Sequence, residues 1–109
     1  MKKYCYINLF VLIWGIGLGF TQSAWAEGDI EKGKTKAIAC QVCHGKGGKS
    51  TNPLYPVLAG QHTQYIVKQL RAFNSGTRKD PIMNGMAAPL TEEDMHDLAA
   101  YFNSNGAGQ

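Results

Sequence analysis

The residues best suited to covalent chemistry stand together in one short segment, C-Q-V-C-H. It contains Cys40, Cys43 and His44 in the pattern C-x-x-C-H. Two thiols at this spacing, near the end of a predicted helix, can form thioethers with the two vinyl groups on one side of a porphyrin, and the imidazole that follows can bind the iron. The pattern is therefore typical of covalent haem c attachment, with His44 as the first axial ligand.

Two other kinds of site use similar residues. A redox-active dithiol of the thioredoxin kind expects a strand–helix–strand context, and no strand pattern flanks the segment. A structural zinc site needs four ligands and usually supplies them as two pairs. The chain beyond residue 26 contains two cysteines in total, Cys40 and Cys43. Haem attachment is the interpretation that uses all the residues of the pattern.

An electron-carrying haem needs a second axial ligand, and a methionine thioether suits this role because histidine–methionine ligation raises the reduction potential. Met83 and Met86 lie between two predicted helices, in a flexible stretch with proline and glycine. Met95 falls on the apolar face of a helix, where we expect it to pack in the core. Spacing alone favours Met83 and Met86 equally, and we expect the other one to fill the core. His62 and His96 are expected to face solvent.

Three predicted helices must position these residues. The first begins at Asp29, its N-cap, and runs to about Ala39. The second covers 62–75, with an apolar stripe that includes Tyr65, and the third begins after Thr91. The connections, 45–61 and 77–90, contain glycine and proline without strand alternation, so we expect irregular structure there. The sequence predicts an all-α domain of three main helices, with long loops that wrap a functional group.

The first 26 residues differ in composition from the rest. Lys2 and Lys3 precede a charge-free apolar run, and the small residues Ala24 and Ala26 stand where a signal peptidase cuts. We therefore expect a secretory signal at 1–26 and one domain at 27–109, with no membrane span after cleavage. An uncleaved anchor is the alternative, although the run is shorter and richer in glycine than a span of about 20 apolar residues.

The charge balance excludes one class of partner. The chain has 11 Lys and Arg against 8 Asp and Glu, a net charge of +3. Removal of Lys2 and Lys3 with the signal leaves 9 against 8, or +1, which gives no support for nucleic-acid binding. Removal of 26 of the 109 residues leaves 83. A domain of that size often needs a staple, and a covalently attached haem supplies one.

These segments together resemble the class I cytochromes c, in particular the bacterial cytochrome c4, c5 and c553 group, over essentially all of 27–109. The resemblance rests on C-Q-V-C-H-G, on Y-P-V-L-A-G-Q at 55–61, on M-N-G-M at 83–86 and on L-A-A-Y-F at 98–102. It implies a small cytochrome c fold wrapped around one covalently bound haem.

The resemblance also implies roles for particular residues. In that group the first methionine of M-x-G-M is the axial ligand, which favours Met83 over Met86. The proline before L-A-G-Q offers its carbonyl oxygen to the ligating histidine. The resemblance therefore implies a hydrogen bond between the Pro56 carbonyl oxygen and the His44 ring. The first and last helices are expected to cross at Gly33, against the 98–102 face, and Arg78 is a candidate for contact with a haem propionate.

The expected function is single-electron transfer in the periplasm, because two axial ligands leave no open iron position for catalysis. The expected partners are redox protein donors and acceptors, including membrane-bound respiratory complexes. Lys46 and Lys49 lie near the attachment site and Arg78 and Lys79 near the methionines, while the acids concentrate on the last helix. This charge pattern is equally compatible with steering towards an acidic partner and with a solvated surface that has no directional role.

Two alternatives are a subunit of a larger oxidoreductase and a haem-based gas sensor in which a gas displaces the methionine. Cytochrome c4 proteins carry two such domains and this sequence has one. The resemblance is therefore compatible with a monohaem relative, a homodimer or a small subunit.

Overall fold

The computed structural model describes residues 27–106. The predicted signal at 1–26 and the last three residues lie outside this range. Within it the secondary structure is helical and contains no strand, which confirms the predicted all-α class, and no helix there has the length and apolar character to cross a membrane. The helices are α1 (Ile30–Lys36), α2 (Ile38–His44), α3 (Thr63–Ser75), α4 (Pro81–Ala87) and α5 (Glu92–Ser104), with a 3-10 turn at Lys46–Gly48.

The first predicted helix is longer than expected and is divided in two. Asp29 caps α1 as predicted, because its carboxylate accepts a hydrogen bond from the Lys32 amide. A turn at Ala37 separates α1 from α2. Helix α2 begins directly after this turn, and the amide of Gln41 donates a hydrogen bond to the Ala37 carbonyl at 2.9 Å. Gly45, with φ of +79°, ends α2. The attachment segment thus lies within a helix.

The prediction of irregular structure throughout 77–90 is wrong, because α4 occupies the middle of that stretch. Its N-cap is Asp80, whose carboxylate accepts hydrogen bonds from the amides of Ile82 and Met83. Pro81 stands at the first helical position, where its missing N–H costs nothing. Met83 and Met86 therefore lie on a short capped helix rather than in a flexible loop.

Helix α5 organises the core by packing against α1 and α3, while α4 packs against α3. The predicted crossing at Gly33 is present: a Cβ there would lie 2.0 Å from the Asp97 carbonyl oxygen and 2.9 Å from Tyr101 Cβ. The closest contacts thus come from Asp97 and Tyr101. Met95 is buried as predicted. The main core cluster consists of Ala37, Ile66, Val67, Met95, Leu98, Ala99, Tyr101 and Phe102.

Four side chains are placed differently from the sequence expectation. Asp97 is buried rather than part of a charged surface, and its Oδ1 accepts a hydrogen bond from the Asp29 amide at 2.7 Å. His96 is half-buried, 3.3 Å from a carboxylate oxygen of Glu92. Tyr65 is 49% exposed and Met86 is 38% exposed, so neither residue fills the protein core.

Candidate haem-binding site

Helix α2 carries both cysteines of the C-x-x-C-H segment, and each is half-buried. Residues three apart on a helix are surface neighbours, so Cys40 and Cys43 lie on one side of α2. Cys40 also packs against the core cluster, and burial raises the pKa of its thiol above the ordinary value. The side of α2 that bears the two thiols is thus fixed by the packing of Cys40.

His44, the last residue of α2, is fixed in orientation by a carbonyl oxygen from a distant loop. Its side chain is buried, and Nδ1 lies 2.8 Å from the Pro56 carbonyl oxygen. A carbonyl can only accept, so Nδ1 carries the proton and donates it. The lone pair of Nε2 is then free to bind a metal, and the hydrogen bond fixes the orientation of the ring.

The loop that carries Pro56 is itself tied to the rest of the molecule. The Gly48 carbonyl accepts hydrogen bonds from the amides of Leu58 and Ala59, and the Gly60 amide donates to the Phe102 carbonyl at 2.9 Å. Gly48 has a φ of +79°, and a Cβ at that position would lie 2.8 Å from the Phe102 ring. These contacts hold the loop, and with it Pro56, against α5.

On α4, Met83 is half-buried and is the less exposed of the two candidate methionines. Its backbone amide donates to Asp80 Oδ1 at 2.9 Å. Met86 follows one turn later, so the side chains of the two methionines project from the same side of α4. The structure gives the two methionines different exposure, a distinction that spacing alone did not provide.

Arg78 is one of the cations near this site, and neighbouring side chains hold its guanidinium. The Arg78 guanidinium lies 4.5 Å from the centre of the Phe73 ring, and Nη1 donates to Gln69 Oε1 at 2.6 Å. Such stacking fixes the guanidinium on the side chains of α3. Its approach to a haem propionate stays a prediction.

The donor set and the apolar surface both fit a haem. Two thiols and one imidazole with a free Nε2 come from α2, and a methionine thioether comes from α4. Neighbouring segments carry large apolar side chains that are exposed on the surface of the polypeptide. A flat apolar macrocycle would cover such side chains. They are Leu54 (81%), Val57 (54%), Tyr65 (49%) and Ile82 (61%).

Three polar residues around the site escaped the sequence analysis. Gln41 Oε1 accepts hydrogen bonds from the Gly47 amide at 2.6 Å and from the Tyr101 hydroxyl at 3.0 Å. Asn84 and Asn74 each donate side-chain hydrogen bonds to backbone carbonyls across the α3–α4 connection. The pair Asp80-Pro81 was the available signal for α4, because an N-cap residue followed by proline is typical of a helix start.

The family comparison matches the cytochrome c family over residues 30–106. Cytochrome c4 of Stutzerimonas stutzeri is 43% identical over 96 residues, which cover 80% of this chain and 46% of that protein. The crystal structure of reduced recombinant cytochrome c4 from Pseudomonas stutzeri has a TM-score of 0.68 and 41% identity, over 72% of this chain and 46% of that one. The chain thus spans about half the length of these relatives.

Two further relatives differ in length. Cytochrome c-554(548) of Halomonas halodenitrificans is 39% identical over 80 residues, which cover 71% of this chain and 96% of that protein. A thiosulfate dehydrogenase electron acceptor of Thiomonas intermedia is 41% identical over 83 residues, or 74% of this chain and 36% of that protein. The similarity therefore includes a relative of single-domain length as well as longer proteins.

The helical fold, the C-x-x-C-H segment on α2 and these similarities lead to one conclusion. The chain belongs to the class I cytochrome c family, within the cytochrome c4 group, and its cofactor is covalently bound haem c.

Proposed function

We propose that the chain is an exported monohaem cytochrome that carries single electrons between redox proteins. The observation that carries this proposal is the fixed orientation of His44 by Pro56, combined with the capped helix that holds Met83. Together they offer two axial ligands whose supporting backbone is already in place. Bound haem c supplies a one-electron iron couple between these ligands.

Each residue of the site has a distinct part in this proposal. Cys40 and Cys43 would hold the cofactor covalently, each by addition of its S–H across a vinyl group. His44 would bind the iron through Nε2, and the hydrogen bond from its Nδ1 to Pro56 keeps the ring from rotating. Met83 would supply the second ligand. A carrier needs ligands that stay in place when the iron changes oxidation state, because structural rearrangement slows electron transfer.

The surface charges support docking to an acidic partner. Three acids of α5 are occupied in ion pairs: Glu92 with Arg71, Glu93 with Lys32, and Asp94 with Lys36. Within residues 27–106, six exposed cations form no ion pair with a carboxylate, and most belong to the segments around the site. They are Lys34, Lys46, Lys49, Lys68, Arg78 and Lys79. Cations in this arrangement attract an acidic surface over about 10 Å at moderate salt.

The proposal also covers location and the absence of catalysis. The apparent signal at 1–26 supports export, and haem attachment outside the cytoplasm is consistent with a periplasmic protein. With His44 and Met83 both bound to the iron, the domain itself would have no open iron site for a substrate. Purification from a periplasmic extract tests the location, with Glu27 expected as the first residue of the mature chain. Retention of residues 1–26 would instead support a membrane anchor.

A subunit role is the second candidate, and one similarity favours it. The thiosulfate dehydrogenase electron acceptor of Thiomonas intermedia contains a region like this chain. A domain in that setting would transfer electrons from a catalytic subunit rather than diffuse between partners. Stable co-purification with an oxidoreductase would favour this candidate over a free carrier.

The proposed carrier is tested by exposing the reduced holoprotein to carbon monoxide. With His44 and Met83 both bound, carbon monoxide should change the optical spectrum slowly and incompletely, and the protein should exchange electrons reversibly with ferricyanide and ascorbate. Rapid, complete formation of a carbon monoxide adduct would indicate an open or easily opened axial position. That result would replace the carrier with a gas-binding function.

A further inference from the structure

The side chain of Asn84 forms hydrogen bonds with the backbone of the residues that precede α4 and with the end of α3. Its Nδ2 donates to the carbonyl oxygens of Phe73 at 2.9 Å and Arg78 at 2.8 Å. Its Oδ1 accepts from the Asp80 amide at 2.9 Å. The side chain therefore uses both of its donor hydrogens and its oxygen on backbone groups. It binds the residue after Met83 to the end of α3.

A second asparagine makes the reciprocal connection from α3. Asn74 Nδ2 donates to the Ala87 carbonyl oxygen at 2.9 Å, with longer contacts to Ala88 at 3.3 Å and Leu90 at 3.4 Å. These carbonyls lie at and beyond the last turn of α4, where helix carbonyls have no partner within the helix. Asn84 therefore attaches the start of α4 to α3, and Asn74 attaches its end.

We propose that Asn74 and Asn84 form a clamp that positions Met83, so that they govern how readily this methionine leaves the iron. The inference rests on the proposed function, in which Met83 is the second ligand. Helix α4 has seven residues, and isolated helices of that length are unstable in water. Its position therefore depends on tertiary contacts, and the two asparagines supply hydrogen bonds at both of its ends.

The size of the effect follows from ordinary hydrogen-bond strength. Loss of one or two such bonds changes an equilibrium constant by roughly five- to thirtyfold. A competing ligand such as imidazole binds ferric iron after the methionine has left. Its apparent affinity is therefore proportional to the fraction of molecules in the open form. A weaker clamp should raise the affinity for imidazole by the same factor.

The experiment compares imidazole binding to the ferric holoprotein in Asn84→Ala, Asn74→Ala and a matched control, Asn52→Ala. Asn52 accepts a hydrogen bond from the Leu54 amide in a local turn outside the clamp. We expect imidazole to bind at least fivefold more tightly to each clamp variant and unchanged to the control. Alanine favours helix more than asparagine does, so Asn84→Ala does not weaken α4 through propensity.

Backbone hydrogen exchange provides a second readout that separates positioning from general destabilisation. The amides of Ile82 and Met83 should exchange faster in both clamp variants, while core amides of α5 keep their rates. Imidazole affinities within twofold of the unmodified protein in Asn74→Ala would overturn the proposal, even if Asn84→Ala failed to fold. Exposed Asn74 should tolerate alanine.

Failure of the ligand assignment gives a different pattern. If Met83→Ala kept the sulfur–iron absorption band, the proposed second ligand would be wrong, whereas the exchange rates would still report whether the clamp holds α4. If Met83→Ala lost the band and the asparagine variants bound imidazole like the unmodified protein, the ligand would stand and the clamp would be refuted.

Discussion

The Tyr101 hydroxyl of α5 donates a hydrogen bond to Gln41 Oε1 at 3.0 Å, although the two residues are 60 positions apart. Gln41 lies between the two cysteines of the attachment segment, and the same oxygen accepts from the Gly47 amide at 2.6 Å. One side chain therefore connects α2, the 3-10 turn that follows it and α5. The network fixes the attachment helix against the most buried helix of the fold.

Tyr101→Phe should lower the free energy of unfolding of the holoprotein by about 1 kcal/mol, because it removes one partly buried hydrogen bond. Gln41→Leu should cost more, since it also leaves the Gly47 amide without its acceptor. Guanidinium unfolding of both variants and of the double variant gives the coupling energy. A coupling near zero would show that the 3.0 Å contact contributes nothing to stability.

Gly33→Ala should destabilise the protein by about 1–3 kcal/mol, because the new methyl group overlaps the Asp97 carbonyl and must push α1 away from α5. Thr35→Ala is the control on the same helix, at an exposed position, and should change stability by less than about 0.5 kcal/mol. Thermal unfolding of both variants makes the comparison. Equal melting temperatures would mean that the crossing at Gly33 adjusts without strain.

The ion pair between Lys36 and Asp94 predicts a pH dependence of stability. The Asp94 carboxylate accepts one hydrogen bond from the Lys36 ammonium group and a second from the Thr91 amide. These hydrogen bonds lower the pKa of the Asp94 carboxyl below its ordinary value. The folded-state pKa is therefore lower than the unfolded-state value near 4. Asp94 thus stabilises the fold above about pH 4, and this contribution disappears as the pH falls through the folded-state pKa.

Asp94→Asn should accordingly cost about 0.5–1 kcal/mol at neutral pH and progressively less below about pH 4. Glu31→Gln is the matched control, because Glu31 forms no ion pair within residues 27–106. Guanidinium unfolding between pH 2 and pH 7 measures both curves. A cost that stays constant over this range would assign the effect to the helix cap rather than to the charge.

The cations near the attachment site predict a salt-dependent rate of electron transfer. Oxidation of the reduced holoprotein by ferricyanide, an anion, should become slower as salt is added, because salt screens the attraction. Lys46→Glu combined with Lys49→Glu should slow the reaction by about tenfold at low salt. Lys34→Glu, on α1, provides the control. Equal rates in all three proteins would mean that these charges do not guide the encounter.

The sequence predicted most of the helices because their signals are local. The caps at Asp29 and Thr91 and the apolar spacing of α3 and α5 depend on neighbours in the chain. Helix α4 was missed because its glycine and proline resemble turn signals, whereas its stability depends on contacts with α3. The burial of Asp97 was missed for a similar reason, since its partner is the backbone amide of Asp29, 68 residues away.

The candidate site shows the same division. The cysteines, His44 and the methionines follow from residue type and spacing, and the carbonyl of Pro56 was expected from a family resemblance. No spacing rule predicts the bonds of Gln41, Asn74 and Asn84, because asparagine and glutamine side chains acquire their roles from carbonyls that the fold brings near. Such residues are found only when donors and acceptors are traced in three dimensions.

The most direct test of the account is the optical spectrum of the oxidised and reduced holoprotein, with Met83→Ala and Met86→Ala measured alongside it. Low-spin haem bands, with a sulfur–iron charge-transfer band that disappears in Met83→Ala and persists in Met86→Ala, would establish His44 and Met83 as the ligands of an electron carrier. A high-spin spectrum in the unmodified protein would contradict the account, because the iron would then have an open position.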